Sequence, residues 1–193
     1  DKITQVNKGV FHMKKILSVI CFLFIFGQGS AKADLLLEPY IGYGIGQQEI
    51  TQSGVTAEYT QTGTVMGGRI GWQSFGLMLG ADIGYGPTLT QELTLAALGG
   101  IKGTETEYSG TYMGAFVGYD FPILVRAWAT YFFDITYSPE TGNDTTATGT
   151  SFGVGFTGLP FVSLNAEYRM ISFDDSDLES NEVFLSVSLP LTF

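Results

Sequence analysis

Residues Asn181 to Phe193 read N-E-V-F-L-S-V-S-L-P-L-T-F, and their alternation decides the fold. Val183, Leu185, Val187, Leu189, Leu191 and Phe193 share one parity, while Glu182, Phe184, Ser186, Ser188, Pro190 and Thr192 share the other. A strand sends successive side chains to opposite faces, so this segment has one oily face and one mixed, mostly polar face. It is long enough to cross a bilayer as a tilted strand, which takes about 9–11 residues. The oily face is therefore expected to meet lipid, and the other to line a closed barrel.

The same alternation recurs upstream. Seven further strands are expected, at residues 35–46, 63–73, 75–86, 109–119, 123–136, 148–157 and 161–172. Tight turns are expected at 73–75, 120–122 and 158–160, and long polar connections at 47–62, 87–108, 137–147 and 173–180. Within the longest connection, Leu93 to Leu98 reads as a short helical turn. Short and long connections alternate strictly around an even number of strands, which is the pattern of bacterial outer-membrane barrels.

Charge sorting is an independent test. When each strand is phased on its apolar residues alone, Glu38, Arg69, Asp82, Arg126, Asp134, Glu167, Arg169 and Glu182 all fall on the inward side. A basic residue facing lipid at mid-depth costs about 2–4 kcal/mol, and an acidic one less, so a membrane barrel must sort its charges inward. A soluble barrel sorts them the other way. Aromatic residues add a weaker signal. Trp72, Phe75, Tyr119 and Phe193 lie outward near the short turns, and Tyr43, Tyr85, Tyr131, Phe133 and Tyr168 lie outward toward the long connections. These are expected to form the two interfacial girdles.

The start of the chain reads as an export signal. Lys14 and Lys15 precede an apolar run from Ile16 to Phe26, and Ala31-Lys32-Ala33 is an A-x-A cleavage site. The run is too short for a membrane helix. Residues 1–12 are expected to be an upstream extension, 13–33 a signal peptide, and 34–193 the barrel. Cys21 and His12 lie before residue 34, so the expected mature part has neither thiol nor imidazole. Its basic residues are Arg69, Lys102, Arg126 and Arg169, against eighteen acidic ones. That balance excludes a nucleic-acid partner, which needs a basic footprint.

The chain resembles the small eight-stranded outer-membrane barrels of the OmpA and OmpX type. The resemblance rests on E-P-Y-I-G-Y-G-I-G at 38–46, V-G-Y-D-F at 117–121 and the alternating terminal strand, and it covers residues 34–193. It implies an all-β, eight-stranded, antiparallel up-and-down transmembrane barrel in the outer membrane of a Gram-negative-type envelope. It also implies that Phe193 is read by the barrel-assembly machinery. The other expected partners are outer-membrane lipid and lipopolysaccharide, and the chain is expected to be a monomer.

An eight-stranded barrel has an interior just wide enough for side chains to fill. Glu38, Arg69, Arg126 and Glu167 are expected at similar depth as a neutralising network that plugs the lumen, with Tyr40, Trp128 and Asn165 around it. The inward glycines Gly42, Gly44, Gly67, Gly71, Gly80, Gly114 and Gly118 are expected to make room for the arginines. The alternatives are a gate in a narrow ion path, or passage of small solutes as in OmpW-like barrels, for which Leu36, Val65, Met78, Phe132 and Phe184 would give a dispersed apolar lining. The acidic run 173–179 lacks the glycine of an EF-hand loop, so no metal site is expected. No cofactor is expected. An enzyme is not expected, since the mature part has no histidine to act as general base. A structural or surface-interaction role remains the leading reading.

Overall fold

The computed structural model describes residues 33–52, 55–95, 101–174 and 179–193. The expected upstream extension, the expected signal peptide up to Lys32, Ala96 to Leu98 and the acidic residues 175–178 lie outside them. The segments are β1 (Asp34–Gln52), β2 (Val55–Ser74), β3 (Leu77–Leu95), β4 (Ile101–Phe121), β5 (Val125–Pro139), β6 (Thr145–Phe156), β7 (Ser163–Phe173), β8 (Glu179–Ser188) and β9 (Leu191–Thr192). From β1 to β8 each pairs antiparallel with the next, and β1 also pairs with β8 and β9 on its other side. The sheet is therefore closed.

Segments β8 and β9 are one stave. Tyr40 pairs with Ser188 and Leu37 with Leu191 in a single register. Between them the Leu189 N–H donates to the Pro39 carbonyl at 3.0 Å, and Leu35 and Phe193 exchange two backbone bonds of 2.9 and 3.0 Å. The ladder lapses where Pro190 stands opposite Glu38, because proline has no N–H to give. Eight staves close the barrel, as the alternation required. Following paired residues around it, Leu36 leads through Gly71, Gly80, Phe116, Thr130, Ser151, Arg169 and Glu182 to Gly46. The circuit returns to β1 ten residues beyond its start (36 to 46), the stagger that forces the staves to tilt.

The outer surface is apolar. Ile41 is 54% exposed, Val117 55%, Phe152 58% and Leu185 56%. One of the sorted charges breaks the rule: Asp134 is exposed, not inward. The cause is a β-bulge. Met113 pairs with Asp134 but Gly114 with Phe132, so Phe133 is an extra residue that inverts the parity of everything after it. Asp134 accepts a hydrogen bond from Thr136 Oγ1 at 3.2 Å and lies next to Phe133, at the aromatic row where the cost of an exposed charge fades. A second bulge at Pro87–Thr88 inverts β3 in the same way. Beyond the two bulges, Leu89, Ile135 and Tyr137 turn inward.

The long connections are shorter than expected and the strands longer. Strands β1 to β4 run 19, 20, 19 and 21 residues, whereas β6, β7 and β8 run 12, 11 and 10. Residues 47–52 and 55–62 are paired strand rather than loop, and Leu93 to Leu95 are strand rather than a helical turn. Alternation fades there because no lipid face is needed beyond the bilayer, while the backbone ladder continues. The short turns also shift. Phe75-Gly76 is a two-residue hairpin turn with both φ angles positive (51° and 84°), as a type I′ turn requires. Leu124 and Phe161, at φ 64° and 67°, are likewise left-handed and exposed in the other two.

Ile41 sits at the centre of the outward series on β1. Ile41→Arg should therefore destabilise the folded barrel by about 2–4 kcal/mol in liposome unfolding titrations. A polar change at the inward Ser186 should be far better tolerated.

Candidate functional site

The lumen is filled in three layers. At the short-turn end, Leu36, Met78 and Phe116 form an apolar cluster. At the other end Val65, Leu89, Tyr112, Ile135, Tyr137 and Ile171 belong to a second, larger one. Charged side chains lie between.

All four residues of the expected network are buried. Arg126 Nη1 donates to Glu38 Oε2 at 2.8 Å, and its Nη2 donates to Glu38 Oε1, making a fork-to-fork pair. Strands β1 and β5 are four staves apart in a barrel of eight, so this pair crosses the diameter. Arg69 Nη2 donates to Glu167 Oε1, from β2 to β7, and Arg69 Nη1 lies 3.5 Å from Glu38 Oε1. Glu38 thus joins both arginines. Asn165 and Ser188 close the lower edge, accepting from Arg126 Nη2 at 3.1 and 3.0 Å. Trp128 lies between the two cations, its ring centre 4.3 Å from the Arg69 guanidinium and 5.4 Å from that of Arg126.

Three further charged residues join this cluster. Asp82 accepts from Arg69 Nε at 3.0 Å and from the Tyr40 hydroxyl at 2.9 Å. Arg169 lies 3.5 Å from Glu167 and 3.7 Å from Glu182. Its Nε and Nη1 make no hydrogen bond, and the cation rests instead 3.8 Å above the centre of the Phe184 ring. Asp82 is the cross-strand partner of Arg69, and Glu182 that of Arg169. The first pairing follows from a turn centred on Phe75-Gly76, and a turn placed one residue earlier hides it. The second spans the 173–180 connection, whose length sets no register.

The glycines act differently from expectation. Gly42 abuts the Phe184 ring, Gly67 that of Tyr40 and Gly118 Trp128. Room for an arginine comes from Gly155, where an added Cβ would lie 2.8 Å from Arg126 Nε. Phe193, the expected assembly signal, is 73% exposed and backbone-paired to Leu35.

Among the described residues no group of three or more His, Cys, Asp or Glu side chains is arranged to hold a metal ion. Four carboxylates of the lumen, those of Glu38, Asp82, Glu167 and Glu182, thus lie against the three guanidinium groups of Arg69, Arg126 and Arg169.

No family model matches the chain, and no curated protein matches it. Solved structures do. The attachment invasion locus protein Ail of Yersinia pestis, in complex with the heparin analogue sucrose octasulfate, aligns with a TM-score of 0.55 at 11% identity, over 81% of this chain and 99% of that one. Neisserial surface protein A aligns at 0.45 and 14%, over 81% and 97%. OprG, an outer membrane protein of Pseudomonas aeruginosa, aligns at 0.44 and 8%, over 84% and 95%. The likeness is one of fold: the chain is a closed eight-stranded barrel of the kind found in small outer-membrane proteins.

Removing one partner from a buried pair leaves an uncompensated charge. Arg126→Ala and Glu38→Ala should each cost about 3–5 kcal/mol in denaturant titrations. The double variant should cost much less than the sum of the two, a coupling that unlinked positions would not show.

Proposed function

We propose that this protein is an integral outer-membrane barrel with a surface-interaction role, its lumen plugged by the Arg–Glu cluster. The single observation that carries the interaction role is the unequal height of the wall. Strands β1 to β4 continue as paired backbone well past the residues where β5 to β8 end. Tyr108 pairs with Pro139 at the last rung of β4 with β5, yet β4 begins at Ile101. Gln48 pairs with Ser180 at the last rung of β1 with β8, yet β1 runs on to Gln52. The result is a four-stranded sheet standing above the rim, joined through the β2–β3 ladder from Glu58–Thr94 downward. Among the described residues, its two outer strands have unpaired backbone edges, which are templates for another extended chain.

The plug reading is supported by the Arg126–Glu38 pair across the diameter and by the apolar layers on either side of it. Passage of solutes would require breaking a fork-to-fork pair in a desolvated site. The sulfated ligand seen with Ail does not transfer readily to this chain. Apart from the three arginines buried in the lumen, residues 34–193 contain one basic residue, Lys102, and a sulfated ligand needs several. Lipid contacts are supplied by the apolar belt, and delivery by the assembly machinery at the strand ending in Phe193 completes the reading.

Two measurements test it. Planar-bilayer recordings of the refolded barrel should show no discrete conductance, and steady ion channels in the wild type would overturn the plug. Cells displaying the intact chain should retain extracellular protein on their surface. Cells displaying a chain whose β1–β2 and β3–β4 hairpins are cut back to the rim should not, with unchanged heat-modifiable gel mobility. Equal retention by both would overturn the interaction role.

A further inference from the structure

We infer that the mouth of the barrel holds a binding site for a single uncharged sugar residue. A cavity of about 240 Å³ opens at the long-connection end, above the upper apolar layer. Tyr108, Tyr137 and Phe173 supply its rings, and Gln48, Gln61 and Gln91 supply amides from three successive strands, β1, β2 and β3. Among the described residues that line it, none is Asp, Glu, Lys or Arg.

The rings are held in place by one another. Tyr108 meets Tyr137 edge-on at 5.5 Å between centres, and Phe173 lies tilted against Tyr137 at 5.7 Å. Tyr137 packs in turn on Tyr112 at 6.1 Å. Beneath them Leu89, Ile135 and Ile171 are almost fully buried, so the cavity is a blind cup rather than the entrance to a path. Tyr137 reaches this position only because the bulge at Phe133 inverts the parity of β5.

The polar groups are under-used. Among the described residues, the only hydrogen bond between two of these amides is a long one, from Gln91 Nε2 to Gln48 Oε1 at 3.4 Å. The Tyr137 hydroxyl faces Gln61 and Tyr112 but makes no hydrogen bond of good geometry, although the residue is 5% exposed.

These features select the ligand. An amide offers both a donor and an acceptor, which is what a sugar hydroxyl needs. The C–H face of a pyranose covers an aromatic ring without a polar clash. A charged ligand would find no counter-ion among the described lining residues, and a wholly apolar one would strand three amides. The volume suits one ring rather than a chain, being below the range of about 300–1,000 Å³ usual for ligand sites. The site is independent of the protruding sheet's edges and of whether the lumen conducts.

The test uses the full chain refolded in an amine-oxide detergent, since glucoside and maltoside detergents would compete. Side-chain amide resonances are followed while methyl α-glucoside, methyl β-galactoside or N-acetylglucosamine is added. At least one neutral sugar should give saturable shifts centred on Gln48, Gln61 and Gln91, and glucuronate should bind more weakly. Gln61→Leu should weaken binding about five- to tenfold, the worth of about one neutral hydrogen bond. Tyr137→Phe, which keeps the ring, should weaken it less. If Gln61→Leu does not refold, Gln48→Leu on the adjacent strand carries the same expectation. Absence of saturable shifts with every neutral sugar overturns the site. So does affinity unchanged by the glutamine variants, or saturation by benzyl alcohol where sugars fail.

Discussion

Arg126 and Glu38 meet across the full width of the tube, and the rest of the structure is arranged so that they can. A guanidinium and a carboxylate without water around them are each expensive, and this pair is held by good geometry with most of its remaining hydrogen-bonding capacity filled, Arg126 Nε being left without a hydrogen bond. Glu38 therefore takes a second arginine, Arg69, which also reaches Asp82 and Glu167. The Trp128 ring faces both cations, and glycines at 153 and 155 leave the space that Trp128 and Arg126 occupy. A barrel of eight staves is narrow enough for opposite walls to touch through long side chains, so pairs of this kind both fill the lumen and tie its walls together.

The exterior follows from the same demand. Backbone groups facing hydrocarbon must be satisfied within the sheet, which closure achieves by pairing β1 with β8 and β9. The one lapse in that closing seam lies at Pro190, and the Leu35–Phe193 bonds below it and the Leu189–Pro39 bond above it keep the register. The two bulges each introduce a local irregularity with a specific result. Each turns the upper part of its strand so that apolar and aromatic side chains cap the charges from above. The cost is the exposure of Asp134 at the aromatic row.

Much of this was legible from residue order. Period-two alternation identified eight crossings, since one face must suit lipid along the whole bilayer depth. The inward parity of Glu38, Arg69, Arg126 and Glu167 was readable for the same reason. Other features were not. The upper halves of β1 to β4 carry polar residues at both parities, so the pattern that marks a strand disappears where the membrane does. Phe75, Leu124 and Phe161 are poor markers for left-handed turns, so the turns read a residue or more out of place and the Arg69–Asp82 pairing stayed hidden.

By itself the amino-acid order determined which side chains face the axis wherever a strand runs without a bulge, because parity within a strand is a local property of extended backbone; past the bulges in β3 and β5 it did not. Only the closed tertiary structure decided which of them touch. Stagger between strands, inserted residues at bulges and the exact positions of the turns set relative height around the tube, and none of these is encoded in the alternation of a single strand. For that reason the charges that face the axis could be named in advance, with Asp134 wrongly among them, while the crossing from β1 to β5, the capture of Arg169 by the Phe184 ring and the aromatic cup at the mouth appear only once the staves are joined.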